Sequence, residues 1–564
     1  MTSKEERGNP ASARPRRTVL AVALACSAAA AGVAQAADGF AEKSLTIDGY
    51  LRGEFSWNAK NYQDTMNYND RGKMSMARAT VRVNADWKAT DNLALVAKIR
   101  GSYEHQTNFL KHLEKPEKLI YTPPGTASGA YNYRSGARGN LMELYNEAEL
   151  RELYVDWNAS DRVKFRLGKQ QVVWGETDFF AANDMVHGFN WTWRSFLEPA
   201  NEELRKPLII LKANVDVPEA NGALEFFVRP GWDRKKDIGT EIDIYGGRWS
   251  GQPWAKNDFR NIDPYDFENK EGDYDKVTGG IRWNGTADAF NYSVSYLKTF
   301  NQMPIMNGTS KFNGAGCPTG PGNCGNVKTV GRADTFGSFG DVIYPVIDVY
   351  GFTASGYAPF ADAVFSTEWA YIKDAPYQFA LPVPSFASQV IAPGFDGVKT
   401  KDVVAWMLRM DKNLPFAQSL LGAEKPMFFS VQLFDKWIQN FNKRDRLLNA
   451  VGWGSKTKEH SFLLTGIFGL SYDSGRIRPE LVVGTDLTYR GGFYVPSVTI
   501  ELSKNVRWKI EYDGFWDNGR WRNEKKCIPA PIVVGGNNAT CDNQGLFGSF
   551  HNRDQFYTSL TYMF

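Results

Sequence analysis

The feature that most constrains this chain is a period-two alternation of apolar and polar residues, which recurs along most of its length. In the first such segment the apolar set includes Leu45, Leu51 and Trp57, and the interleaved set includes Arg52 and Glu54. Alternation of this kind places the two sets on opposite faces of a β-strand. About eighteen strands are predicted, near residues 45–57, 74–88, 93–104, 149–157, 163–173, 207–217, 223–232, 276–284, 289–300, 345–355, 361–372, 402–412, 427–437, 459–472, 477–489, 493–503, 505–516 and 553–564.

The connections between these segments alternate in length. Short turns fall at residues 89–92, 158–162, 218–222, 285–288, 356–360 and 473–476, and long connections at 105–148, 174–206, 233–275, 301–344 and 373–401. Short turns on one side and long loops on the other are typical of a bacterial outer-membrane barrel. The predicted fold is therefore all-β: a transmembrane, antiparallel, up-and-down β-barrel of about 18 strands, with 16 or 20 as alternatives. Short turns would be periplasmic and long loops extracellular, with some loops folded into the lumen, and residues 416–424 predict a short helical turn in one periplasmic connection.

A soluble β-sandwich is the alternative to a membrane barrel, and the aromatic residues argue against it. Trp87, Trp157, Trp283 and Trp508 each lie beside a short turn in the apolar register, as in an interfacial aromatic girdle. The last strand ends with an alternating apolar set that resembles the C-terminal signal read by the outer-membrane barrel assembly machinery. This predicted assembly signal consists of Leu560, Tyr562 and Phe564.

The N-terminus reads as a secretory signal peptide. Basic residues precede an Ala-rich apolar stretch, and Ala34-Gln35-Ala36 is a small-x-small cleavage site. We therefore expect residues 1–36 to be removed and residues 37–564 to form the barrel in the outer membrane of a Gram-negative bacterium. Lys and Arg total 66 against 63 Asp and Glu, a balance that gives no indication of nucleic-acid binding.

Four cysteines of the exported chain fall as two close pairs in Gly- and Asn-rich stretches. Because export leads to an oxidising compartment, two local disulfides are predicted, Cys317–Cys324 and Cys527–Cys541. A metal site is the less favoured interpretation, since no His lies near either pair. Calcium binding by the acidic stretch 257–275 is a further alternative to a simple solvated loop.

The polar face of the first strands is heavily charged. In a wide barrel this face points into a water-filled lumen, where rings of charge set selectivity. The alternative is a self-neutralising wall that only solvates the interior. The predicted lumen charges are Arg52, Glu54, Arg78, Arg82, Lys98, Arg100 and Glu104.

Residues 168–206 combine dense aromatics with mixed charges on the long-loop side. Exposed aromatics at that density would aggregate, so this connection is predicted to fold inward as a constriction or binding element. A lid packed on neighbouring loops is an equal alternative. The candidate residues are Lys169, Gln170, Trp174, Glu176, Phe179, Phe180, His187, Trp191, Trp193 and Arg194.

Three runs in this region carry a family resemblance: LRELYVDW at 150–157, LGKQQVVWGETDFF at 167–180 and LRKPLIILKANV at 204–215. They resemble a proteobacterial family catalogued as domain of unknown function 1302, over the whole exported chain. The resemblance implies an outer-membrane barrel linked to hydrophobic compounds such as steroids or lipids. It also implies two partners, a LolA-like periplasmic carrier and an RND-superfamily inner-membrane permease. It supplies no catalytic residues, and transport of this kind is expected to need no cofactor.

Three functions follow as hypotheses. The first is a conduit for hydrophobic molecules or lipids, for which Phe227, Phe515, Tyr50, Tyr154 and Phe434 are candidate lumen aromatics. The second is a porin for small polar solutes, and the third is a structural or adhesion barrel whose surface loops act. An enzyme is not expected, because no His lies in a recognisable catalytic motif.

Overall fold

The structure is a computed structural model, and part of the chain is described here. The described residues are 44–61, 69–113, 142, 145–175, 180, 182–192, 194, 197–198, 201–241, 248, 275–306, 342–379, 397–448, 456–517, 527–528, 540–541, 545, 547, 550 and 552–564. The predicted signal peptide, residues 1–36, lies outside them.

Within these residues, eighteen strands form the wall of one barrel, which confirms the predicted fold class and strand number. In chain order they are β1 Leu45–Asn58, β2 Met74–Lys88, β3 Leu93–Glu104, β4 Glu147–Asn158, β5 Val163–Gln170, β6 Leu208–Val217, β7 Gly222–Arg229, β8 Thr278–Ala287, β9 Phe290–Phe300, β10 Val346–Ala358, β11 Ala363–Phe379, β12 Gly397–Leu414, β13 Met427–Ile438, β14 Leu463–Gly469, β15 Ile477–Asp486, β16 Gly491–Ser503, β17 Val506–Trp516 and β18 Gln555–Met563.

Each strand pairs antiparallel with the next along the chain, and β18 pairs with β1. At this seam Gly53 lies opposite Leu560. Beyond the last paired residues, Gly49 and Phe564 exchange two backbone hydrogen bonds of 3.1 Å. Closure pairs the backbone N–H and C=O groups that the two edge strands of an open sheet would leave without partners.

The outer surface is apolar and carries many exposed aromatic residues. On β12, Ala405 and Met407 are buried while Leu408 is exposed, so alternation separates the lumen face from the outer face. Trp87 and Trp157 are exposed beside short turns, where a hydrocarbon–water boundary favours indole rings. No helix among the described residues is long and apolar enough to span a membrane.

The short connections are built from turn-forming residues. Asn221, Asp288 and Asp362 have positive φ angles of 50°, 48° and 49° in three of them, a conformation that Asn and Asp tolerate better than most residues. The predicted helical turn is confirmed as helix α3, Pro415–Leu421, which ends at Gly422 with φ 64°. Two further helices, α1 Asn108–Leu113 and α2 Asn201–Leu204, lie in long connections.

The remaining elements are short. They are the 3-10 helices Pro218–Ala220, Lys235–Asp237 and Lys443–Asp445 and the two-residue strands Ile305–Met306, Val342–Ile343, Leu447–Leu448, Cys527–Ile528 and Thr540–Cys541. In the last pair the backbone of Cys527 lies opposite that of Cys541. The disulfide between them stays a prediction, and Cys317 and Cys324 lie outside the described residues.

Candidate functional site: an inward loop between two unlike walls

One side of the lumen is lined by charged side chains of β1 to β4, here called the charged wall. Period two places Arg78 and Arg82 of β2 on the same buried face. The strand register sets Arg78 opposite Glu104 but Arg82 opposite Arg100. Like charges directly across a strand pair repel, so the second pair needs an anion nearby.

A β-bulge adds two more charges to this wall. The register between β3 and β4 shifts after Lys98, and Arg151 has no partner position on β3. As a result Arg151 and Glu152 are both buried, while Leu150 and Leu153 on either side are exposed. A bulge re-aims side chains in this way, and strict alternation in the sequence could not reveal it.

The connection between β5 and β6, residues 171–207, is here called the inward loop, because its described residues contact opposite sides of the barrel. Its first part is held against β7 and β8. The buried Trp174 ring meets Phe227 edge-on at 5.2 Å, and its indole N–H donates to Glu225 at 2.5 Å. A Cβ at Gly280 would lie 2.5 Å from the Trp174 ring, so the absence of a side chain there creates the space for this indole.

The middle of the inward loop is organised around His187, which is 1% exposed. Its Nε2 accepts from the Val172 N–H at 2.8 Å, and its Nδ1 lies 2.9 Å from the Lys206 carbonyl. A neutral imidazole protonated at Nδ1 satisfies both contacts. Burial, with nearby Arg205, lowers the pKa of His187 to about 3. His187 is therefore a structural link between the two ends of the loop at neutral pH.

Helix α2 presents two carboxylates to the charged wall. Glu203 lies at the centre of the contact: its Oε1 accepts from Arg82 at 2.8 Å and its Oε2 from Arg100 at 3.1 Å. The Arg100 guanidinium also donates to the Glu203 carbonyl at 2.7 Å. Against the opposing effect of burial, Arg100 and Arg82 lower the pKa of Glu203 to about 2. Further contacts are Tyr50 Oη to Glu203 at 2.9 Å, Arg82 to Glu202 at 2.5 Å, Lys98 to Glu202 at 3.5 Å, and Arg151 to the carbonyls of Glu202 at 2.5 Å and Arg205 at 2.7 Å.

A second buried ion cluster ties the inward loop to β17 and β18. The Arg194 guanidinium donates to Glu511 at 2.5 Å and to Asp513 at 3.3 Å. It also stacks over the Tyr557 ring at 3.7 Å. Arg194 is 1% exposed, so this charge depends on its partners for solvation.

The opposite side of the lumen is formed by the inner faces of β9 to β13 and is here called the apolar wall, because a large apolar cluster dominates it; buried polar residues such as Thr353, Glu368 and Gln432 lie on the same faces. Its buried side chains include Leu297, Val349, Ala370, Ile372, Val403, Ala405, Met407, Phe434 and Ile438. The inward loop packs here through Phe180, whose ring meets Phe434 at 6.1 Å. Polar contacts accompany this packing: the Asn183 N–H donates to Glu368 at 3.0 Å, and the Thr299 hydroxyl donates to the Val186 carbonyl at 3.5 Å.

A cavity of about 340 Å³ lies between the inward loop and the apolar wall. Met185 and Trp191 of the loop line one side, and Ile372, Ala405 and Phe434 line the other. Polar and charged side chains also line it, among them Asp435, Lys436 and Asp486. A concave site lined mostly by apolar side chains, with polar groups placed among them, is the usual form of a small-molecule site.

The predicted lumen charges divide into two groups. Arg52, Arg82, Lys98 and Arg100 contact carboxylates of the inward loop, with Arg52 pairing Glu198 at 3.5 Å. Arg78 instead pairs with Glu104 at 2.9 Å, and Glu104 also binds Arg248 of another long connection. Glu54 accepts from Thr80 at 3.3 Å and from Tyr557 at 2.9 Å.

The predicted inward-loop residues fall into those that lie in the loop and those that end strand β5. Trp174, Phe180, His187, Trp191 and Arg194 lie in the lumen contacts described above, while Lys169 pairs with Asp237 at 3.4 Å and Gln170 donates to the Ile210 carbonyl at 2.8 Å. Glu176, Phe179 and Trp193 lie outside the described residues, as does the acidic stretch 257–275 except Asp275.

Sequence reasoning missed the carboxylates that complete the site. Glu198, Glu202 and Glu203 of the inward loop, Glu149 and Glu152 of β4, and Glu511 and Asp513 of β17 were not among its candidates. The two adjacent acids at 202 and 203 and the Leu-Arg-Glu-Leu run at 150–153, which breaks alternation, were the available signals. All three residues of the predicted assembly signal, Leu560, Tyr562 and Phe564, are exposed on the outer face.

Comparison with family models decides the affiliation. The model for "Protein of unknown function (DUF1302)" matches residues 17–564. The chain belongs to this family. Comparison of the DUF1302 chain with curated proteins gives no significant match.

Comparison with solved structures gives distant matches. The chain is similar to Salmonella typhi OmpF in complex with daunomycin, with 8% identity, a TM-score of 0.37 and coverage of 92% of this chain and 97% of that one. It is similar to Acinetobacter baumannii OccAB1, with 9% identity, a TM-score of 0.42 and coverage of 92% and 96%. It is also similar to Pseudomonas aeruginosa OpdK with vanillate, with 7% identity, a TM-score of 0.39 and coverage of 93% and 99%.

Proposed function

We propose that this protein is an outer-membrane conduit for hydrophobic small molecules or lipids, of steroid-like or lipid type. The observation that carries the proposal is the cavity of about 340 Å³ between the inward loop and the apolar wall. Ligand sites typically enclose about 300–1,000 Å³, so the volume suits a small apolar molecule. Each buried CH₂ contributes about 0.8 kcal/mol, which favours entry of an apolar cargo over its exposure to water.

An outer-membrane location is part of the proposal and is supported by the apolar outer face of the barrel. That face would contact outer-membrane lipid and lipopolysaccharide. Leu560, Tyr562 and Phe564 would be read by the barrel assembly machinery before the seam with β1 closes. Two further partners come from the family resemblance: a LolA-like periplasmic carrier and an RND-superfamily permease.

Uptake by porin-deficient Gram-negative cells that express the protein tests the cargo. We expect the initial uptake rate of a radiolabelled steroid to rise at least five-fold over cells without it. Ala405→Phe places a ring in the cavity and should remove most of this gain. Leu408→Phe lies on the outer face of the same strand and should leave it unchanged. Equal uptake by both variants would contradict a cargo path through the cavity.

The charged wall favours a second candidate, a porin for small polar solutes. Liposome swelling in an isotonic sugar separates the two functions, because a porin admits the sugar and water together. We expect swelling no faster than in protein-free liposomes, since α2 and Arg194 hold the inward loop across the lumen. Rapid swelling together with no steroid uptake would make the porin the better assignment.

The periplasmic carrier is tested by photo-crosslinking from the ends of the barrel. A crosslinker at Asp161, in the short turn between β4 and β5, should capture the purified LolA-like carrier. The same group at Lys111, in a long connection, should not. Capture from both positions, or from neither, would argue against docking at the short-turn end.

A further inference from the structure

The charged wall contains a site for an anion that the chain itself fills. Arg82 and Arg100 lie directly opposite each other on β2 and β3. The Glu203 carboxylate sits between their guanidinium groups, and the Tyr50 hydroxyl donates to it as well. Three donors from three strands therefore converge on a single carboxylate, which is 4% exposed.

Charge balance shows that this carboxylate is needed. The cations that pair in this part of the wall are Arg52, Arg82, Lys98, Arg100 and Arg151. In the described residues, the wall strands contribute two carboxylates to these ion pairs, Glu149 and Glu152, and the inward loop contributes Glu198, Glu202 and Glu203. If α2 left its place, Arg82 would lose both of its carboxylate partners, and Arg100 would keep Glu149 but lose Glu203. Uncompensated buried charge is costly.

We infer that Tyr50, Arg82 and Arg100 form a binding site for the carboxylate of an anionic amphiphile, in the place that Glu203 holds. This inference rests on the proposed function and specifies its cargo: an apolar body with one carboxylate. A ligand shifts a conformational equilibrium only through its different affinity for the two states. A cargo carboxylate supplies that difference, because it replaces the charge that α2 withdraws.

The apolar body has a place on the other side of the same loop. The inward loop separates the two walls, with Glu203 toward Arg82 and Phe180 toward Phe434. Movement of the loop would therefore free the anion site and widen the cavity together. A neutral apolar molecule would use the cavity alone, and a small anion would use the charged wall alone.

Calorimetric titration of the full-length barrel in nanodiscs tests the site with three probes: phenylbutyrate, the neutral phenylbutanol, and acetate. In Glu203→Gln the competing charge is lost, so the Kd for phenylbutyrate should fall at least ten-fold. The Kd for phenylbutanol should change less than two-fold. Arg100→Gln should weaken phenylbutyrate binding at least ten-fold relative to the unaltered protein. Tyr50→Phe, which removes one donor, should weaken it two- to five-fold.

An exposed carboxylate outside the site provides the control. Glu219→Gln, in an exposed pair with Arg162, should leave all three Kd values unchanged. If Glu203→Gln does not fold, as judged by heat-modifiable gel migration, Glu203→Asp replaces it and should show a smaller gain of the same sign. Unchanged phenylbutyrate affinity, or an equal gain for phenylbutanol, would overturn the anion site. An equal gain for acetate would overturn the amphiphile. Each of these failures leaves steroid uptake through the cavity intact, whereas loss of the proposed function would abolish that uptake.

Discussion

The charged wall and the apolar wall face each other across one lumen and hold the inward loop through different kinds of interaction. On the charged wall, the contact is a set of ion pairs centred on Glu203. On the apolar wall it is packing around Phe434, with a cavity left beside it. Both walls have an apolar outer face, which is the face that contacts lipid. The two walls therefore differ in the side chains that face the lumen. Features that distinguish this chain from a generic barrel are therefore expected on the lumen face.

The largest expected effect comes from the buried cluster beside the charged wall. Arg194→Ala leaves Asp513 buried without its cation and leaves Glu511 with Lys509 as its remaining cation, and breaking such a buried pair costs about 3–5 kcal/mol. The free energy of unfolding, measured by urea titration in lipid bilayers, should fall by that amount. Arg162→Ala, in an exposed pair, is the matched control, at about 0–1 kcal/mol. Similar losses in both variants would remove the distinction between buried and exposed charge here.

On the apolar wall the effect of truncation should be comparable or smaller. Met407 is fully buried, and Met407→Ala should cost about 2–5 kcal/mol because it leaves a void. The same urea titration measures it. Leu408→Ala on the outer face is the control and should cost less than Met407→Ala. A larger loss at 408 than at 407 would mean that the outer face, rather than the packed lumen, dominates stability.

Acid should loosen the inward loop, because its two key titratable groups favour the deprotonated form when docked. His187 has a pKa lowered from 6.5 to about 3, so its contribution is complete above pH 6.5 and is lost as the pH falls toward 3. The loss is about 1.4 kcal/mol per pH unit. Glu203, with a pKa near 2 instead of 4.5, adds a loss of the same sign between pH 4.5 and 2.

Planar-bilayer conductance as a function of pH measures this loosening. Open events should become more frequent below pH 6.5, and His187→Asn should flatten the response between pH 6.5 and 4.5. Asp184 and Glu198 have the opposite effect on docking of the loop, because burial raises the pKa of each and acid therefore favours their docked, protonated form. The difference between His187→Asn and the unaltered protein therefore isolates His187. An identical pH response in the two proteins would exclude it as the sensor.

The smallest expected effect concerns the first part of the inward loop. Gly280→Ala places a methyl group against the Trp174 ring, and overpacking of this kind costs about 1–3 kcal/mol. Fluorescence of the displaced indole should shift to longer wavelength. Gly53→Ala is the control, since the nearest atom to its new Cβ would be 3.8 Å away. An unshifted spectrum in Gly280→Ala would mean that the backbone yields instead of Trp174.

Much of the barrel follows from local pattern. The alternation around Arg52 and Glu54, and the turn residues such as Asp288, predicted strands and their ends closely. The predicted and observed strand ends differ where a strand is longer or shorter than its alternating pattern. β12 begins at Gly397 rather than near 402, and β14 spans Leu463–Gly469 rather than 459–472. These ends depend on contacts with neighbouring strands, which a single segment does not encode.

By itself, the sequence determined which face of each strand is apolar, because a period of two fixes the side of every residue relative to its neighbours. That is enough for a closed barrel with an apolar exterior. It was not enough for the site. Glu203 and Arg100 lie 103 residues apart, and only closure of the sheet and the fold of the loop bring them together. Arg151 enters the lumen because a bulge shifts its strand by one residue. Charge pairing across a lumen is decided by distance in space, and that distance exists only after the strands have closed.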